Sequence, residues 1–183
     1  MVEIIRADAR RNRERLLEVA TEAFAAADGR SVSLESIARD AGVGIGTLYR
    51  HFPNREALVE AIYRAELAEV AAAAEHLLKR HPPRNALRRW MDRYAGFVAA
   101  KRGMAESLHA IFDSGAMEPS RTRDSIVGAV DMLLRAGAED GSLRSDVQAD
   151  DVVSSLVGIF LASGSAVQTG RMLDLLTAGV ARQ

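Results

Sequence analysis

The chain has 183 residues, four prolines, no cysteine and a formal net charge of −1. This length suffices for one or two compact domains, and the missing cysteines exclude disulfides and thiolate metal sites. An apolar share of 48% beside 27% charged residues is an ordinary globular balance that excludes general disorder.

No apolar run approaches the ~20 residues needed to span a bilayer. The arginine-rich stretch Met1 to Arg15 lacks the continuous apolar core of a signal peptide. A soluble, cytoplasmic protein is therefore expected. Charge is unevenly spread: Arg6, Arg10, Arg11, Arg13 and Arg15 face only Asp8 and Glu14. Such local excess matters more for nucleic-acid contact than the total.

The periodicity predicts helices throughout. A first helix spans about Ile5 to Ala27, with Leu16, Leu17, Ala20 and Phe24 on one stripe, and Asp28-Gly29-Arg30 ends it. Ser33 is placed to cap a second helix, Leu34 to Ala41, and Gly42 breaks it. A third follows at Ile45 to His51, anchored by Leu48 and Phe52, and Asn54 caps a long fourth helix to about Arg80. Pro82-Pro83 is the sharpest break, with Pro83 suited to open helix five, which runs to about Lys101. Helix six covers Met104 to Phe112, helix seven Pro119 to Ala138, helix eight Asp151 to Ala162 with Asp150 as cap, and helix nine Arg171 to Ala181. No strand pattern or internal repeat is evident.

The informative stretch is Ser33 to Leu58, SLESIARDAGVGIGTLYRHFPNREAL. Two short helices joined at Gly42 are what a helix-turn-helix requires. Ala38 must be small where the helices cross, Gly42 permits a turn that a Cβ obstructs, and Ile37, Val43 and Leu48 fill the small core. The second helix then offers Ile45, Thr47, Tyr49, Arg50 and His51, groups suited to phosphate oxygens and base edges in a major groove. Phe52 is spaced to face inward, whereas His51 has an ordinary solvated position as its alternative. The arginines of the first helix read first as a solvated face, with Arg10 and Arg11 the best placed to reach an adjacent groove.

The segment Thr47-Leu48-Tyr49-Arg50-His51-Phe52, with Arg55 and a long helix after it, resembles the DNA-binding domain of the tetracycline-repressor (TetR) family over about Leu16 to Ile62. The resemblance implies an all-α fold of nine helices: a helix-turn-helix domain at 1–53 and a helical ligand-binding and dimerisation domain at 54–183. It implies that Thr47, Tyr49 and His51 touch the DNA backbone and that Ile45 and Arg50 reach bases. It also implies that Arg55 clamps a phosphate, with Ser31 and Ser33 near phosphate too. Gly44 departs from the family pattern, standing where a serine or threonine commonly caps the recognition helix.

In the C-terminal half, Trp90, Tyr94 and Phe97 fall largely on one face of helix five, and Met104, Leu108, Phe112 and Met132 add soft apolar surface. Each alone reads most simply as bundle core; together they suit an adaptable pocket for an apolar or aromatic effector. Helices 151–162 and 171–181 are apolar enough to need burial on more than one side, which points to a homodimer interface. No cofactor or metal site is expected: the four histidines are scattered, and no nucleophile motif or phosphate loop occurs, so an enzyme is not expected. The function expected is a repressor, binding double-stranded operator DNA of near-palindromic sequence and released by a small molecule. A regulator without an effector, or an activator, stands as the alternative.

Overall fold

The computed structural model describes residues 2–26, 32–102 and 104–182, with the side chains of 2–7, 102 and 119 left aside. Among these residues it contains nine α-helices and no strand: α1 (Val2–Ala26), α2 (Leu34–Asp40), α3 (Ile45–His51), α4 (Arg55–Leu78), α5 (Pro83–Arg102), α6 (Ala105–Asp113), α7 (Pro119–Glu139), α8 (Ala149–Ala162) and α9 (Ala166–Val180). The expected stop at Asp28-Gly29-Arg30 and the contact at Ser31 lie outside the described residues, as does the Arg6 side chain. No helix among the described residues is long and apolar enough to cross a membrane.

The chain forms two compact units, Met1–Ala65 with Ala99–Glu118, and Glu66–Val98 with Pro119–Gln183. The three N-terminal helices thus share a unit with the first half of α4 and with α6, so the structural division falls inside α4 and α5 and not at residue 53.

In the first unit, α1, α2 and α3 pack against one another around Leu16, Ala20, Phe24, Ile37, Ala38, Ala41 and Leu48, all buried. The turn between α2 and α3 is a Schellman motif. The Gly42 N–H donates to the Arg39 carbonyl (3.0 Å) and the Val43 N–H to the Ala38 carbonyl (2.9 Å). Gly42 has φ +70°, a conformation that a side chain disfavours, so backbone strain explains the glycine there. Ser33 caps α2 by accepting from the Ser36 N–H at 3.3 Å. Asn54 Oδ1 caps α4 by accepting from the Ala57 N–H at 2.8 Å.

In the second unit, α8 packs between α7 and α9, and Trp90, Leu87, Val130, Leu133, Leu156 and Leu173 form much of the core. The 142–144 segment makes an isolated antiparallel bridge, Leu143 with Ala181, in which the Arg144 N–H donates to the Val180 carbonyl at 3.0 Å.

The starts of helices eight and nine differ from expectation through their capping. Helix nine begins at Ala166, not Arg171, because Ser165 caps it: its Oγ accepts from the Gln168 N–H at 3.2 Å, and Gln168 Oε1 accepts from the Gly164 N–H at 3.0 Å. This is a variant of the Ser-x-x-Gln capping box. Helix eight starts at Ala149, so Asp150 lies in its first turn, where a carboxylate still favours the helix dipole, and it accepts from Arg123 at 2.7 Å.

Candidate nucleic-acid interface

The seven residues of α3 bury one anchor and leave the rest near water. Leu48 is fully buried and Phe52, the C-cap residue, is buried behind it. Their inward pull fixes the helix's rotation and turns Ile45 (38% exposed), Tyr49 (45% exposed) and Arg50 outward, with Thr47 half-buried beside them. Large apolar or aromatic groups so exposed on a short polar helix are uncommon unless a partner covers them. Gly44, the N-cap residue of α3, makes no side-chain capping bond, although its φ of −70° is open to any residue.

His51 stands apart from the others. It is half-buried beside Phe52, with ring centroids 6.3 Å apart, and lines a cleft with Arg13, Glu60 and Arg64. In the same cleft the Arg13 guanidinium lies 5.2 Å from the Phe52 ring centroid. Periodicity could not reveal that pairing, because it depends on where α1 crosses the end of α3.

Ser33 is exposed and its Oγ is already shared: it accepts from the Ser36 N–H and donates to Glu35 Oε2 at 2.7 Å. That hydrogen bond, reinforced by the backbone, holds the Glu35 carboxyl below its ordinary range.

Arg55 differs most from expectation. Its Nη1 donates to the Val32 carbonyl, its Nε to Ser107 Oγ at 3.3 Å, and its guanidinium sits 5.0 Å from the Phe24 ring centroid. The charge is thereby engaged inside the unit, tying the start of α4 to α1, to the residue before the α2 cap and to α6. Two further contacts bind this region together: Tyr63 meets Phe112 edge-on at 6.0 Å, and Arg64 Nη2 donates to the Ala116 carbonyl at 3.2 Å.

The residues expected around an effector divide between the two units. Trp90, Tyr94 and Phe97 form a stack in the second, with centroids 5.3 and 6.1 Å apart, and Phe160 meets Tyr94 edge-on at 5.5 Å. Trp90 is wholly buried and its Nε1 donates to the Val70 carbonyl at 2.9 Å, so its polar end is already satisfied. Met104, Leu108 and Phe112 belong to the first unit, the first two buried and Phe112 half-buried. Met132 is 44% exposed, pointing away from the core of its unit.

Comparison with known proteins agrees with this geometry. Residues 16–62, which hold the helix-turn-helix, match the family of bacterial regulatory proteins called tetR. Residues 82–182 match the C-terminal domain of SbtR-like transcriptional regulators. The chain belongs to the TetR family. Over its full architecture this TetR-family regulator is similar to the crystal structure of the TetR transcriptional regulator SCO0520 from Streptomyces coelicolor, with 41% identity, coverage of 93% of this chain and 99% of that one, and a TM-score of 0.83. It is also similar to a TetR regulatory protein from Mycobacterium vanbaalenii, with 32% identity, coverage of 97% and 99%, and a TM-score of 0.75. An HTH-type transcriptional regulator of Staphylococcus aureus is 36% identical over 63 residues, which is 34% of this chain and 34% of that protein's length. The TetR-family regulator is accordingly a DNA-binding transcriptional regulator of all-α architecture.

Proposed function

We propose that this protein is a homodimeric repressor that reads a near-palindromic operator with α3 and leaves it when a small apolar or aromatic effector binds. The observation that carries this reading is the outward face of α3, where Ile45, Tyr49 and Arg50 stand exposed on a helix fixed from behind by Leu48. Arg50 and Ile45 are the base-reading candidates, and Thr47, Tyr49, His51 and Ser33 the backbone contacts. Arg55 acts by holding the head together.

A second copy is supported by α8 and α9, which leave Leu161 (83% exposed), Leu175 (72%), Val167 and Val157 in water in the single chain. Full burial of a leucine from full exposure contributes roughly 1.5–3 kcal/mol, so Leu161 and Leu175 offer most of that and Val157 less than half. A dimer of this kind sets two recognition helices about one DNA turn apart. The effector is placed at the Trp90–Tyr94–Phe97 stack, where aromatic faces suit a flat apolar molecule. Coupling between effector and operator is reciprocal, so DNA weakens effector binding as much as effector weakens DNA.

The tight packing of that same stack, with Trp90 fully buried, favours a second reading: a regulator with a filled interior and no effector there. Activation in place of repression depends on operator position.

One experiment tests the proposal. The purified protein selects fragments from randomised and genomic DNA, and the complexes are then challenged with a panel of apolar and aromatic compounds. A near-palindrome, lost in Arg50→Ala and released by a compound, supports the whole reading. Recovery of an operator that no compound releases supports the effector-free reading, and recovery of no sequence overturns specific DNA reading by α3.

A further inference from the structure

The last turns of α4 and the first half of α5, both within the second unit, border an open cleft of about 690 Å3. A volume of that order falls in the ~300–1,000 Å3 range of small-molecule sites. Its lining combines the apolar Ala72, Ala73 and Leu77 with His76, His81, Lys79, Arg80, Arg89 and Arg93. Glu69 is the one acidic side chain among its described lining residues.

The pairing of these charges decides what the cleft can hold. Arg93 is committed to Glu69 at 2.7 Å, and Lys79 to Glu75 at 2.6 Å. Arg80 and Arg89 have no ion-pair partner among the described residues, so two guanidinium groups, one from the turn after α4 and one from α5, border the same cleft. Lys79 and Arg80 follow the C-terminal end of α4, where cations offset the helix dipole. That reason does not reach Arg89 and Arg93, which lie in the middle of α5. A planar guanidinium matches a carboxylate or phosphate through two parallel hydrogen bonds, and the aliphatic stems of arginine and lysine extend the apolar wall.

We propose that this cleft binds an organic anion with an apolar body, of the class of medium-chain carboxylates, its head held by Arg80 and Arg89 and its tail laid on Ala72 and Leu77. The site shares no residue with the aromatic stack and stands whether or not an effector enters there.

The test uses the full chain and decanoate as probe, followed by titration calorimetry below its micelle concentration. Decanoate is expected to bind, whereas acetate, lacking the tail, and decyltrimethylammonium, reversing the charge, are not. Arg80→Ala with Arg89→Ala is expected to weaken binding at least tenfold, and Arg89→Glu alone to do so comparably. Both positions are exposed, so circular dichroism should show the wild-type fold. The proposal is overturned if decanoate does not bind, if the cationic amphiphile binds equally well, or if binding survives the arginine variants.

Discussion

Arg55 Nε donates to Ser107 Oγ across 3.3 Å, joining the first turn of α4 to the buried face of α6. Charged hydrogen bonds contribute about 1.5–3 kcal/mol, and a cation over an aromatic ring adds about 0.5–2 kcal/mol. Arg55→Lys keeps the charge but loses the planar fork that reaches both Val32 and Ser107. We expect it to lower stability by about 1–2 kcal/mol, a fall in Tm of about 2–8 °C for a chain of this size. Were Arg55 mainly a phosphate contact, the lysine variant would melt like the wild type and only its DNA affinity would drop.

On α3, Arg50→Ala is expected to weaken operator binding by about 1–3 kcal/mol and to relax sequence preference at one position of each half-site. Tyr49→Phe removes the hydroxyl proposed to reach the DNA backbone without removing the ring. It should therefore weaken all sequences by a similar, smaller factor. Binding isotherms on the operator and on single-base variants separate the two effects.

Gly44 caps α3 with no side chain, and a Cβ built there meets nothing within 4 Å. Gly44→Ser is expected to stabilise α3 by a few tenths of a kcal/mol through a bond to a free N–H of the first turn. Slower amide hydrogen exchange at the start of α3 would confirm it. Unchanged exchange would show that the helix is already held by Leu48.

Two glycines of α7 should respond in opposite directions. A Cβ at Gly137 would stand 2.3 Å from Leu143 Cδ1, whereas one at Gly128 meets nothing within 4 Å. Gly137→Ala must push Leu143 from its buried seat, which should cost about 1–3 kcal/mol. Gly128→Ala should gain about 0.5–1 kcal/mol by helix propensity. Thermal melts of the two variants are the check.

Leu161 and Leu175 provide the test of the dimer. Leu161→Glu combined with Leu175→Glu places charges on surfaces already exposed in the single chain, so the subunit should stay folded. Sedimentation is expected to show the wild type as a dimer and the variant as a monomer with greatly reduced operator affinity. A variant that remains dimeric would place the interface elsewhere.

Much of this molecule is decided by local chemistry and is therefore legible in the sequence. Ser33 and Asn54 cap their helices, Gly42 turns the chain, Pro83 opens α5, and Leu48 fixes the side of α3 that faces inward. Each effect acts within a few residues, as hydrogen bonds to the nearest free N–H groups or as helical periodicity, so a linear reading captures it. The start of α9, expected at Arg171, was missed although its local signal stands in Ser165-Ala-Val-Gln168. Tertiary structure alone decided the rest. The sequence could assign Arg55 only to a phosphate; its contacts with Val32, Phe24 and Ser107, the last 52 positions away, are visible only in the folded chain. Trp90 offered a free N–H until Val70 took it, and Gly137 looked like any helical glycine until Leu143 closed over it. A side chain's partner depends on which distant segments pack against it, and no local periodicity records that choice.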